Sequence, residues 1–240
     1  MHEFTIRIAE RTVQVSAEFE NTAEYCRDYL HTGEPDFRVR ITTEDLAYEE
    51  QKNARENPGI CFPDAYLETV AVQRKIAEKL FDYDVLLFHG SALAMDSAGY
   101  LFTAPSGTGK STHARLWREV FGDRVQTVND DKPFLLLDHD RAEVCGSPWN
   151  GKHGLGSNIQ VPLKAICILE RGVSNTITPL EPREALFMLL QQSNRPRQSS
   201  RMGKYLELID RLTSRVRFYR LSCNMEPEAA VVAQKVLSQA

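Results

Sequence analysis

Residues 104–112 read Ala104-Pro-Ser-Gly-Thr-Gly-Lys-Ser-Thr112, and this stretch decides the fold. A small residue, four more, then Gly109-Lys110-Ser111 fit the pattern of a phosphate-binding loop. Upstream, Gly99-Tyr-Leu-Phe-Thr103 is a short apolar run of strand type. Downstream, Ala114, Leu116, Trp117, Val120 and Phe121 fall at helical spacing. Strand, glycine loop and helix in that order turn a motif match into a structural expectation. The expected fold is α/β: a mixed, twisted sheet with the loop at its centre and helices packed on it.

The residue types explain the chemistry. Gly107 and Gly109 permit positive φ and close backbone approach. Successive amides can then point inward around an anionic phosphate chain, and the start of the helix adds partial positive charge. Ser106, Gly107, Thr108, Gly109, Lys110, Ser111 and Thr112 are the expected nucleotide-binding residues. Lys110 reaches terminal phosphates as a point charge, and the Ser111 hydroxyl suits magnesium, which prefers oxygen ligands. ATP and Mg2+ are the cofactors this implies; nothing in the sequence separates ATP from GTP.

The remainder of the chain is compatible with this. Its 240 residues suffice for one large domain, or a domain with an appendage. The net charge of −4 lacks the basic excess of a nucleic-acid binder. No run approaches a membrane helix in length. The N-terminus, Met1-His-Glu-Phe-Thr-Ile-Arg7, has no apolar secretory core. Five scattered cysteines (Cys26, Cys61, Cys145, Cys167, Cys223) contain no Cys-x-x-Cys pair and read as free, mostly buried thiols of a cytoplasmic protein.

Residues 1–60 read as a β-rich, antiparallel N-terminal part and 61–240 as the nucleotide-binding domain. In the first, Phe4, Ile6, Ile8, Val13 and Val15 alternate weakly and Phe37-Arg-Val-Arg-Ile41 more cleanly. Residues 47–58 are polar and read as a surface loop or short helix. Asp64 is a plausible N-cap for a helix through Phe81. Strands are expected at 84–89, 99–103, 124–128, 133–138, 143–145, 165–170 and 216–221, and helices at 181–192, 203–215 and 226–239. Residues 146–156 read as a glycine-rich loop.

Three segments together resemble one superfamily. Phe88-His89-Gly90-Ser91-Ala92, residues 106–112, and Asn129-Asp130-Asp131 occur in the order and approximate spacing of the nucleotide-binding core shared by HPr kinase/phosphorylase and phosphoenolpyruvate carboxykinase. The resemblance covers about residues 84–172. The chain lacks room for a carboxykinase's carboxylic-acid domain, and residues 1–60 do not resemble the HPr kinase N-terminal domain. The resemblance therefore implies a compact, HPr-kinase-like phosphotransferase that uses ATP and magnesium to phosphorylate a hydroxyl on a peptide, a protein serine or a small metabolite. Members of these families often form homo-oligomers, which the surface pattern leaves open.

By the same resemblance Asp130 is the general base and Asp131 a metal ligand beside Ser111. His89 matches the family histidine and can bond the base or the transferring phosphoryl group. A buried structural histidine is the plain alternative. Lys152 can steady that phosphate and Trp149 cover a substrate, or the loop is an exposed connection with Trp149 on the core. Arg195 and Arg197 offer charge to the γ-phosphate, or form a solvated basic turn. Glu170 can support the metal or pair with Arg171. His2, His31, His113, His139 and His153 lack metal spacing and read as surface or loop residues. The other functional class open to this sequence is a nucleotide-dependent switch or ATPase that phosphorylates nothing.

Overall fold

The computed structural model describes all residues 1–240. The chain forms two compact units, Met1–Tyr83 and Asp84–Ala240. This division falls after residue 83, not after residue 60. The reason is the helix Asp64–Leu80 (α3), which buries Leu67, Ala71, Val72, Ile76 and Leu80 and packs inside the first unit.

In the first unit β1 (His2–Ile8) pairs antiparallel with β2 (Arg11–Ala17). β3 (Phe37–Arg40) joins β2 in parallel, so the expected antiparallel unit is in fact mixed. A parallel partner needs a crossover, and α1 (Glu20–Tyr25) lies on it. Sequence reading missed α1 because it is six residues long and its cap is distant: buried Glu68 of α3 accepts bonds from the amides of Glu18 and Phe19 and the hydroxyl of Thr22. The polar stretch after residue 42 is a full helix, α2 (Thr43–Glu56), started by a Thr42/Asp45 capping box. Its buried Asp45 and Glu49 meet Arg74 of α3, and Asp45 also meets Lys75. Those cations draw the Asp45 carboxyl down to about 2 against the opposing effect of burial.

The second unit carries a nine-stranded sheet. Its elements are β4 (Val85–Leu87), β5 (Ser91–Met95), β6 (Ala98–Thr103), α4 (Lys110–Phe121), β7 (Val125–Asn129), β8 (Phe134–Leu136), β9 (Glu143–Cys145), β10 (Gln160–Arg171), β11 (Thr176–Leu180), α5 (Pro182–Gln192), α6 (Met202–Arg215), β12 (Arg217–Cys223) and α7 (Glu228–Leu237). The order β4-β8-β9-β10-β6-β5-β7 is extended by β12, parallel to β10, and β11, antiparallel to β12. The mixed sheet expected from sequence is present. β6, β10 and β12 run parallel at its centre. β7 runs the same way, because it and β6 both pair antiparallel with β5. These four strands therefore end at one edge, where open α/β sheets bind ligands.

One face of this sheet packs Leu93, Tyr100, Phe102, Cys167, Leu169, Tyr219 and Leu221 against Ala114 and Trp117 of α4 and Ala229, Ala230 and Ala233 of α7. Alternate residues Leu101, Ile166 and Phe218 are equally buried on the other face. Gly99 allows a close approach here: a Cβ would stand 2.7 Å from Val144 Cγ1.

His113 lies in this core and not on the surface. It is 2% exposed on α4, its Nε2 accepts the indole N–H of Trp117, and its Nδ1 has no partner. Burial pushes it down to about 4. The unfolded imidazole takes up a proton as pH falls through about 6.5, whereas the native one resists until about 4. Its stabilisation is thus complete above 6.5 and is lost on acidification between those values. His113 alone is expected to make unfolding in urea cost about 2–3 kcal/mol less at pH 4.5 than at pH 7, and His113→Gln to remove that share of the slope.

Candidate functional site

The loop between β6 and α4 turns through Gly107 (φ 76°) and Gly109 (φ 123°), and a Cβ at either would meet nothing within 4 Å. The loop is therefore open on the side where these glycines face, with the first turn of α4 beneath it. Lys110 is buried at that first turn and donates from Nζ to the Ala104 carbonyl at 3.0 Å. Burial lowers its pKa, while Asp131 and then Asp130 act in the opposite direction. Both carboxylates are thus close enough to be felt by the lysine.

Asp130 and Asp131 follow the last residue of β7. Asn129 is fully buried and makes the turn: its side-chain oxygen accepts the amides of Asp131 and Lys132, and its Nδ2 donates to Ser147. This is the local Asx geometry that Asn favours at a strand end. Asp130 is 6% exposed, and its Oδ1 accepts the Ser91 hydroxyl at 2.6 Å. Asp131 is more open and sits 3.4 Å from His89 Nε2. Burial raises the Asp131 carboxyl, partly offset by Lys132 and Lys110.

His89 is driven down to about 4, first by burial and then by Lys132 and Lys110, with the Gln192 side chain opposing. It is neutral at pH 7. Its position is set by backbone bonds: its amide donates to the Gln192 carbonyl, its carbonyl accepts the Thr103 hydroxyl, and Gly90 N–H donates to the Asp131 carbonyl. Residues 89 and 90 thus join the end of β6 to the double aspartate by hydrogen bonds.

The loop 146–157 closes on the same place. Asp130 N–H donates to the Leu155 carbonyl, and Asn129 forms a bridge with Gly156. Gly151 (φ 75°) backs onto Asp131 so closely that a Cβ would lie 3.0 Å from the aspartate Cβ. Gly151→Val adds both that clash and a left-handed backbone strain of about 1–2 kcal/mol. It is expected to displace Asp131 and cut any activity that needs it by at least about tenfold, with a smaller effect on unfolding.

The other expected residues are distributed as follows. Trp149 is buried at 5% exposure, as in the reading that folds it back onto the core. Lys152 is exposed, one residue beyond Gly151. Arg195 and Arg197 are exposed on the segment after α5, which is anchored where Asn194 N–H donates to the Leu87 carbonyl. Glu170 pairs with Arg220 across β12 at 3.1 Å and not with Arg171. Arg171 instead donates to the Gly107 carbonyl at 2.6 Å. A cavity of about 470 Å3 opens there, lined by the glycine loop, Thr112, Glu170–Gly172 and Cys223–Met225. Sequence reading gave no role to Ser91, and to Arg171 only a pairing with Glu170. The signals available were a hydroxyl two residues after His89 and a cation at the end of an apolar strand. No group of three His, Cys, Asp or Glu side chains is placed to hold a metal, and no helix is long and apolar enough to cross a membrane.

No curated protein matches the chain. Among solved structures it is similar to the HPr(Ser) kinase/phosphatase from Coxiella burnetii, with 12% identity and a TM-score of 0.39 over 64% of this chain and 97% of that one. The model of a protein family described as "SynChlorMet cassette protein ScmC" matches residues 65–232. That match covers more than half of the sequence, and the chain belongs to the ScmC family.

Proposed function

We propose that this protein transfers the γ-phosphoryl group of ATP, with magnesium, to a hydroxyl group. The observation that carries the proposal is the meeting of Lys110, His89, Asp130 and Asp131 at one sheet edge, beside a loop that turns through two positive-φ glycines. The residues present fit a nucleotide. The loop is open above the start of α4, which suits phosphates, and the adjoining cavity is in the size range of small-ligand sites. Ser111 and Asp131 would hold magnesium. Two protein oxygens are a usual share for that ion when phosphates complete its shell. Burial disfavours charge on Asp131, and a bound cation would relieve that cost. Bound magnesium would supply neutralisation of the charge on the phosphates.

The chain's own residues divide the remaining work. Lys110 and the loop amides hold the phosphates in line. Ser91 fixes one oxygen of Asp130, which leaves the other to accept the alcohol proton. The alcohol oxygen bonds the γ-phosphorus as the bond from that phosphorus to the β–γ bridging oxygen breaks. The electron pair leaves with ADP. Neutral His89 stands with its Nε2 3.4 Å from Asp131 Oδ1, beside the carboxylate that would hold the metal. A nucleotide switch would need only the loop and the metal; an aspartate fixed by a buried serine favours transfer.

The test uses γ-labelled ATP and a panel of seryl peptides and hydroxylated metabolites. Wild type is expected to label an acceptor, and Asp130→Ala to lose labelling while keeping ATP affinity. Release of free phosphate alone across the whole panel would point to the switch.

A further inference from the structure

We infer that the hydroxyl acceptor is an acidic peptide segment, gripped by basic residues on both sides of the aspartate pair. Backbone contacts fix an order across the site. The 146–157 loop lies against Asp130 and Asp131 through Leu155 and Gly151. Asp131 lies against Gly90 and His89. Leu87 and His89 lie against Asn194 and Gln192. The catalytic pair is therefore in the middle, with one loop on each flank.

Charge is distributed unevenly over these segments. Lys152 is next to Gly151 on one flank, and Arg195 and Arg197 follow Asn194 on the other. Lys132 follows the aspartates themselves. Residues 88–90, 129–133, 146–157 and 192–198 contain no carboxylate besides Asp130 and Asp131. The chain as a whole is at −4, so the rim of this site is a local reversal of its charge. The cations that serve the glycine loop are different ones: Lys110 within it and Arg171, bonded to the Gly107 carbonyl. The rim lysines and arginines are additional to them. They sit on two separate loops, exposed at Lys152, Arg195 and Arg197. A compact anion would meet one flank. An extended chain with carboxylates before and after its hydroxyl residue would meet both, and electrostatic complementarity of this kind sets partner choice and encounter rate.

This inference rests on the phosphotransfer reading for the fate of the hydroxyl, but docking can be measured without nucleotide. The probe is a fluorescent peptide with one serine between two triplets of glutamate, compared with its glutamine and lysine versions. Anisotropy titration of the full chain at low salt is expected to give the glutamate peptide at least about tenfold tighter binding than the glutamine one, with most of that preference lost at 0.5 M salt. Arg195→Glu is expected to abolish the preference and to favour the lysine peptide. Arg195 is exposed, and an unchanged thermal midpoint would confirm that the variant folds. Equal binding of the glutamate and glutamine peptides overturns the inference, as does tighter binding of a single-stranded oligonucleotide of equal charge. Calorimetry with ATP separates the two proposals. ATP binding without peptide preference sinks this one alone, and peptide preference without ATP binding sinks the phosphotransfer reading.

Discussion

Lys110→Ala is expected to lower ATP affinity by about 10²–10³-fold, the effect of removing one partner from a desolvated charge pair. The lysine is buried at the first turn of α4, and its ammonium donates to the Ala104 carbonyl. Burial already disfavours its charge. A polyphosphate would add to the counter-charge of Asp131 and Asp130, so binding should depend steeply on it. The fold should survive, because alanine is a good helix former and the lysine makes one neutral hydrogen bond. Calorimetry with magnesium and ATP reads the effect directly. An affinity within threefold of wild type would mean that the phosphates lie elsewhere.

Trp117→Ala is expected to be the most damaging single change to stability. The indole is fully buried, packs against Tyr100, Phe102 and Phe121, and donates to His113. Truncation leaves a cavity between α4 and the sheet and strips His113 Nε2 of its only donor. Large aromatic-to-alanine changes in cores cost about 3–5 kcal/mol. For a unit of this size that corresponds to a fall in Tm of about 6–20 °C. Trp117→Phe should recover much of the packing but not the hydrogen bond. A midpoint unchanged in Trp117→Ala would show that α4 is not held by this residue, and with it that the glycine loop is not anchored from below.

The two results bear on one another through α4. The helix presents Lys110 at its start and Trp117 two turns later, so the core residue fixes the height of the loop over the sheet edge. Nothing in the local loop sequence supplies that rigidity.

What could be read from the sequence follows the same division. The strand, glycine loop and helix at 98–121 were legible because their signals are local: an apolar run, two glycines at turn positions and a 3.6-residue stripe. The resemblance sets His89 against the base, Asp130, or the phosphoryl group; the side chain lies beside Asp131 instead and Asp130 bonds Ser91, a difference between adjacent residues that only the long-range packing decides. Buried histidines and surface ones look alike in sequence, and His113 was misread for that reason. Its burial follows from packing against Phe102 and Trp117. The pairing of Glu170 with Arg220 depends on β12 lying parallel to β10, which is a long-range fact. β11 was missed because Thr176-Ile-Thr-Pro-Leu180 carries a proline and mostly exposed side chains, as an edge strand does. The helix α2 was underestimated because its buried face is charged: Asp45 and Glu49 face Arg74, and no apolar stripe advertises it.

A crystal structure of the full chain with magnesium and a non-hydrolysable ATP analogue tests the central claim most directly. The expected result is a triphosphate against the amides of residues 106–111, with Lys110 Nζ on its terminal phosphates and the γ-phosphorus facing Asp130. Phosphates bound anywhere else, with the glycine loop empty and Asp130 still paired only to Ser91, would contradict the account.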